Sequence, residues 1–391
     1  MSDPERIRRA ACDVVECLQA KGHVAYFAGG CVRDAIRGEH PEDYDIATDA
    51  TPERVVELFD RVKLVGAHFG VCLVTEQGHK FEVAAFRCDG NYQDGRRPEG
   101  VVFSTPEDDA ERRDFTINGI FFDPVADDYI DFVGGQKDIA DGVVRAIGAP
   151  DERFGEDHLR MLRAVRFAAR FGYEIETGTW HAMRENAPQL ARISAERVRD
   201  EFSKIMLDSN RVRGFDLLVE SGLMRFIIPE ILALRGCEQP AQFHPEGDVF
   251  VHTRLMLSLL EGEPSLPLVL SVLLHDIAKP ATFTHEEGDR IRFNGHDKVG
   301  AEMAREITRR LKYPNEIVGE VEAMVLNHMV FKDVQHMRTS KLKRLMSRET
   351  FQDEMELHRV DCLGSWGGLD NYEFLRDKEV EFANAPIIPP A

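Results

Sequence analysis

The amino-acid sequence predicts an α+β fold divided over several domains, and three observations lead there. The chain has 391 residues, 43% of them hydrophobic, more than one core accommodates, so about two to four packed units are expected. Up to about residue 150, β-type runs (VAYFAGG, YDIAT, GVCLVTE, KFEVAAFR, GVVFS) punctuated by Gly, Asp and Pro alternate with helical stretches. Beyond that the apolar spacing turns helical, as in HLRMLRAVRFAARFGY and ERVRDEFSKIML, with no strand expected before residue 245.

The expected division is an α+β unit over 1–150, a helical unit over 151–245, a second helical unit over 246–365 holding half of the 14 histidines, and a tail over 366–391. The tail ends in EFANAPIIPPA, whose prolines read as an extended segment.

Composition narrows the function classes. Seven cysteines, an odd number without CxxC pairs, argue against a disulfide framework and for a reducing, cytoplasmic setting. The charged N-terminus MSDPERIRRAACDVVECLQAKG shows helical spacing and lacks the apolar run of a signal peptide, and no stretch is apolar over the length needed to cross a bilayer. A net charge of −20 argues against general coating by nucleic acid. Arginines nevertheless gather at Arg96, Arg97, Arg112 and Arg113, at Arg153, Arg160, Arg163, Arg166 and Arg170, and at Arg192, Arg197 and Arg199. Such clusters either pair with neighbouring acids on a solvated surface or hold an RNA end.

The first stretch that carries chemistry is AYFAGGCVRDAIRGEHPEDYDIATDA. A β-type run leads into Gly29 and Gly30 and then a helix-compatible segment, an arrangement in which backbone N–H groups can approach a phosphate. In DYD, Asp43 and Asp45 alternate along a strand and so project from one face. Two such carboxylates repel each other unless a cation sits between them, and hard oxygen ligands suit Mg²⁺. Glu82, within the strand-like KFEVAAFR, is placed to add a third carboxylate. An isolated DxD is more often an acidic surface turn; the conjunction with Gly-Gly and Val32-Arg33-Asp34 favours a site.

GGCVRD followed by DYD resembles the signature of the DNA polymerase β superfamily of nucleotidyltransferases, specifically the bacterial class II tRNA nucleotidyltransferases and poly(A) polymerases. The resemblance continues through FRCDGNYQDGRRPEGVVFSTPEDDAERRDFTING, similar to the family's flexible loop and second motif, DFVGGQKDIADGVVRAIG, similar to its hinge-like third, EDHLRMLRAVRF and RISAERVRDEF. Gly119 stands where the family usually has alanine, and relatives are expected to continue in a further short helical segment beyond IIPPA. The resemblance implies a polymerase β-like head followed by an all-α neck and body.

It also implies a reaction in which the 3′ hydroxyl of tRNA attacks the innermost phosphate of ATP or CTP without a template. Asp43 and Asp45 would hold two Mg²⁺ ions, Glu82 would assist at the hydroxyl, and Gly29, Gly30, Arg33 and Arg113 would contact the nucleotide and its triphosphate. Asp157 and Arg160, three apart on a predicted helix, would lie on one face. A carboxylate accepting from an exocyclic amine beside a guanidinium donating to a ring nitrogen matches cytosine and adenine and mismatches uracil and guanine. The family assigns this base reading to these positions, with Arg163 and Arg166 near the nucleotide.

His252, the pair His275-Asp276, His296, His328 and Asp361 suit a divalent transition metal. HTRLML, LLHDIAKP and NGHDKVG resemble the HD superfamily of metal-dependent phosphohydrolases, which implies an all-α HD domain and an activated water. The bland alternative is a helical core with packed histidines. The expected function is therefore addition of C and A to the tRNA 3′ end. The alternatives are an enzyme restricted to A or to CC, a poly(A) polymerase, and an HD phosphohydrolase whose head senses nucleotide or RNA.

Overall fold

The computed structural model describes residues 3–65, 70–89, 92–93, 97–98, 101–240, 242, 244–285, 291–365 and 367–383. The chain divides into two compact units, Met1–Gln189 and Leu190–Ala391.

The first unit opens with α1 (Asp3–Ala20), β1 (Ala25–Ala28), α2 (Gly30–Ile36), β2 (Asp45–Thr48), α3 (Pro52–Leu58), β3 (Val62–Leu64), β4 (Val71–Glu76) and β5 (His79–Ala85). The short strands β6 (Arg87–Asp89), β7 (Tyr92–Gln93), β8 (Arg97–Pro98) and β9 (Val101–Phe103) follow, then α4 (Pro106–Glu111), β10 (Ile120–Asp123) and β11 (Asp128–Asp131). The loop expected after Phe86 falls largely outside the described residues. Seven strands form one mixed sheet in the order β11-β10-β1-β2-β5-β4-β3. Strand β2 runs antiparallel to β1 and parallel to β5. One face buries Ala28, Ala47, Phe86, Ala110 and Phe121; on α1, Ala11, Val14, Val15 and Leu18 are buried at helical spacing.

The unit continues with α5 (Gly135–Asp141), β12 (Val143–Val144), α6 (Pro150–Glu156), α7 (Arg160–Phe171), β13 (Glu174–Ile175) and α8 (Thr177–Asn186). Strand β13 pairs in parallel with β12, so the stretch expected to lack strands contains one, two residues long. Propensity over so short a segment is silent; the pairing is set by the chain returning alongside Val143.

The second unit is helical: α9 (Ala195–Leu207), α10 (Arg211–Glu220), α11 (Met224–Ile227), α12 (Val249–Leu259), α13 (Leu266–Leu274), α14 (Lys279–Thr282), α15 (His296–Arg310), α16 (Asn315–Asn327), α17 (Thr339–Met346), α18 (Phe351–Leu363) and α19 (Asp370–Ala383). A two-residue hairpin, β14 (Phe283–Thr284) with β15 (Arg292–Phe293), interrupts it. Helix α13 carries apolar side chains around its whole circumference rather than along one stripe, and it is buried accordingly. Leu268, Val269, Leu270, Val272, Leu273 and Leu274 are each at most 3% exposed. Glu381–Ala383 end α19 rather than extending, and the prolines after them lie outside the described residues. No helix among the described residues is long and apolar enough to cross a membrane.

One glycine shows how tightly the head is closed. Asp131 accepts the N–H groups of Val133, Gly134, Gly135 and Gln136 and so fixes the start of α5. A Cβ at Gly135 would stand 2.1 Å from the Thr116 carbonyl oxygen and 2.7 Å from Ile120. Gly135→Ala is therefore expected to lower stability by about 2–4 kcal/mol, read from the denaturant midpoint of the head; an unchanged midpoint would refute this packing.

Candidate functional site

The sheet register assembles the amino-terminal site. Ala28 is opposite Asp45, and Asp45 is opposite Glu82, so a row of neighbours runs across β1, β2 and β5. In-register neighbours share a face of the sheet. The Gly29-Gly30 turn begins one residue beyond Ala28, which brings the turn to the same end of the sheet as Asp45. Asp43 precedes β2 rather than lying within it, but the alternation holds: Asp43 and Asp45 are exposed and Tyr44 between them is buried.

The electrostatics agree with this clustering. Asp45 is exposed as a residue, but the protein packed around its carboxyl group partly desolvates it and so raises it above its ordinary range; Glu82 and Asp43 push it further, and Arg113 opposes them. Three carboxylates with one opposing guanidinium form a donor set suited to hard divalent cations. Among the described residues, the groups whose three ligand atoms lie within 4.8 Å of one another all belong to the second unit, so the head carboxylates stand near each other without closing to that distance.

Gly29 has φ 72°, a conformation that favours glycine, and a Cβ there would come within 3.1 Å of Arg113 Nη1. The missing side chain thus makes room for the guanidinium. Arg113 rests over the Phe121 ring at 5.1 Å, donates to both Asp109 and the Asn118 carbonyl, and so reaches the carboxylate row from its own face.

Arg33 differs from the expectation of a phosphate-facing side chain. It is 6% exposed, with Nε on Asp34 at 2.8 Å, Nη1 on Asn118 Oδ1 at 2.6 Å and its guanidinium 4.7 Å from the Phe171 centroid. Asn118 in turn donates to Asp114 at 3.0 Å, and Asp114 accepts Arg163 Nε at 2.7 Å. A buried relay, Arg33–Asn118–Asp114–Arg163, therefore ties the glycine-turn helix to the RRDFTIN turn and to α7. Arg166 lies over Phe167 at 4.4 Å.

The Asp157–Arg160 pair needs correction. Asp157 is not on a helix with Arg160 but ends α6 in an extended conformation, φ −150° and ψ 104°, and α7 starts at Arg160. The Asp157 carboxylate accepts the Leu159 N–H at 3.0 Å, a local bond that competes with helix continuation. Arg160 pairs with Glu156 and reaches the carbonyls of Arg153 and Arg112. The last contact ties the start of α7 to the backbone just before Arg113.

In the second unit the six expected ligands converge. His252 Nε2 is 3.2 Å from Asp361, His275 Nε2 is 3.0 Å from Asp276, and His296 Nε2 is 3.2 Å from His328 Nε2. Nδ1 of His275, His296 and His328 each faces a backbone carbonyl three residues upstream, Val272, Phe293 and Val325. Those Nδ1–H bonds leave the Nε2 lone pairs turned inward, where two acceptors 3.2 Å apart beside Asp276 call for a cation. Burial pushes His296 down and His328 down to about 4, keeping both neutral and able to ligate. His275 Nε2 is buried and, for all its 3.0 Å approach to Asp276, makes no hydrogen bond of acceptable geometry.

Sequence reasoning missed Glu246, His244, Lys279 and His358. Glu246 Oε1 accepts both His244 and His252 at 2.8 Å; Lys279 Nζ is 2.6 Å from Asp276; His358 lines the same cavity of about 800 Å³. Lys279 lies three residues past the HD pair and could have been found by that spacing. Glu246 precedes α12 in irregular backbone and carries no periodic signal.

Residues 25–145 match the family model of the poly A polymerase head domain, 172–234 that of the probable RNA and SrmB-binding site of polymerase A, and 249–361 that of the HD domain. The chain carries a poly A polymerase head and an HD domain. It is 41% identical over 220 residues to the CCA-adding enzyme of Lactiplantibacillus plantarum, covering 56% of this chain and 54% of that one. With the Geobacillus kaustophilus CCA-adding enzyme it shares 42% over 218 residues, again 56% and 54%. The chain thus spans about half the length of the curated relatives it matches. The crystal structure of the Bacillus stearothermophilus CCA-adding enzyme in complex with CTP superimposes with a TM-score of 0.72 at 27% identity, over 97% of this chain and 83% of that one. A Thermotoga maritima CCA-adding enzyme shares the fold, with a TM-score of 0.64 at 19% identity over 100% and 85% of the two chains.

Two outcomes follow from this geometry. Burial raises the Asp114 carboxyl, but Arg163 and the bonds from Asn118 and the Phe115 N–H outweigh it and hold the group below its ordinary range. Its contribution is then complete above the unfolded value and is lost as pH falls through the folded one. Asp114→Asn should cost the head about 2–4 kcal/mol at pH 7 and flatten its stability curve below about pH 4, measured by urea unfolding across pH; parallel curves would contradict the relay. For the HD domain, Asp276→Asn should abolish retention of Mn²⁺ or Co²⁺ after desalting, by elemental analysis, while the head still folds.

Proposed function

We propose that the protein adds C and A nucleotides from CTP and ATP to the 3′ end of tRNA without a template. The observation that carries this reading is the carboxylate row, Asp45 in register with Glu82 and Asp43 two residues away, set beside the glycine turn and Arg113. Its support from relatives is that two curated proteins about 40% identical are named CCA-adding enzymes, and that the B. stearothermophilus structure was determined with CTP.

Asp43 and Asp45 would hold two Mg²⁺ ions, which when bound lower the pKa of the attacking hydroxyl and neutralise the departing pyrophosphate. Glu82 orients the hydroxyl side. The open turn at Gly29 admits phosphate oxygens close to backbone, and Arg113 supplies the adjacent positive charge. Arg33 acts by positioning: it anchors α2, whose start is the turn itself, through Asn118. Asp157 and Arg160 would read the amine edge of cytosine or adenine, the guanidinium being held beside Arg112. Substrates such as tRNA, ATP and CTP accord with a cytoplasmic setting for this activity.

The HD domain supports a second activity. Its inward-facing imidazoles and Asp276 would hold a divalent transition metal, with Lys279, Arg292 and Lys332 lining the cavity where a phosphate ester would sit.

The test offers purified protein tRNA ending at the discriminator base, at C or at CC, with each labelled nucleotide and Mg²⁺. C and A should be incorporated in that order and U and G rejected. Asp43→Ala should reduce incorporation about a thousandfold, equivalent to losing several kcal/mol of transition-state stabilisation, with folding unchanged. Long adenosine tails on unrelated RNA would instead identify a poly(A) polymerase, and release of phosphate alone would leave only the HD reading.

A further inference from the structure

The second unit presents a positive stripe on a negative molecule. The whole chain has a net charge of −20, yet residues 337–348 contain five Lys or Arg and no Asp or Glu. This segment forms α17 and its flanks, and the helix is amphipathic in a definite way. Leu342 and Leu345 are buried in a cluster with Phe331, Val334, Phe351, Met355 and Leu375, while Arg338, Lys341, Lys343, Arg344 and Arg348 are exposed.

Two of the five cations are engaged nearby: Arg348 pairs with Glu354 at 3.0 Å, and Lys343 lies over the Phe382 ring at 4.8 Å. The other three are not. Lys341 and Arg344, three apart, share one side of α17, and Arg338 stands at its N-cap in extended backbone three residues before Lys341; none of the three has an acidic partner among the described residues. Acids on neighbouring α19 are turned to other groups, Glu379 to Gln352 and Arg376, and Glu381 to Lys378. Like charges at this spacing repel one another, so the stripe is a small electrostatic cost that a polyanion would relieve.

We propose that Arg338, Lys341 and Arg344 grip the phosphate backbone of the RNA substrate at a place separate from its reacting end. This rests on the reading that the substrate is an RNA. A backbone grip needs positive charge and hydrogen-bond donors without base-reading pockets, and α17 offers just that: beside the three cations its outer surface shows the hydroxyl residues Thr339 and Ser340. A protein partner would require a desolvated apolar or aromatic centre, and a lipid surface would require apolar side chains free to insert. The leucines of α17 are consumed in the core, so the helix has neither.

The test compares the full chain with the triple variant Arg338→Gln, Lys341→Gln, Arg344→Gln in binding fluorescent tRNA without nucleotide, over about 50 to 200 mM salt. The variant should bind about tenfold or more weakly at low salt, and the slope of log affinity against log salt should fall by about 2–3, close to one for each phosphate no longer neutralised. Its thermal unfolding and its affinity for CTP should match the parent. Equal salt slopes for the two proteins would overturn the proposal, and so would loss of binding to phosphatidylserine vesicles with tRNA binding intact. A parent chain that binds tRNA with the steeper slope yet adds no nucleotide would defeat the catalytic reading and leave the stripe standing.

Discussion

Asp43, Asp45 and Glu82 place three negative charges at one end of a sheet, and the head is organised around holding them there. The Asp45 carboxyl is raised first by desolvation and then by the charges of Glu82 and Asp43, with Arg113 opposing them. A fold does not keep such a cluster for its own stability; the arrangement is favourable when cations complete it. Parallel pairing of β2 with β5 sets Glu82 beside Asp45, and antiparallel pairing of β1 with β2 sets the glycine turn beside both. A slip of one residue in either pairing would send these side chains to the opposite face.

The buried relay from Arg33 through Asn118 and Asp114 to Arg163 gives that end of the sheet its rigidity. Each member is satisfied by the next, and the guanidinium groups are further stacked on Phe167 and Phe171. Sites that must position a nucleotide to within fractions of an ångström depend on such supporting contacts as much as on the groups that touch it. Three separated motifs are thereby a single mechanical piece.

Much of this was legible in the amino-acid sequence because the signals were local. The alternation of Asp43, Tyr44 and Asp45, the strand character of the Glu82 segment and the glycine turn depend on neighbours within a few residues. The candidate metal-ligating residues of the HD domain were legible as residue types, and their convergence is a product of helix packing that spacing alone did not determine. What failed were statements about partners. That Arg33 is held by Asn118 and Phe171, far along the chain, could not be read from its own motif. The break at Asp157 was not foreseen although Gly155 stands two residues before it; it accompanies the carboxylate bonding the Leu159 N–H. Glu246 was silent because irregular backbone before a helix has no period to read.

The central claim, that the head carboxylates share a cation site beside the glycine turn, is tested most directly by replacing Mg²⁺ with Fe²⁺ and mapping the backbone cuts made by hydroxyl radicals generated at the bound ion. The account predicts cuts clustered at residues 29–30, 43–45 and 82, in addition to any around the HD ligands. Cuts confined to residues 252–361, with the segment 25–85 intact, would contradict it.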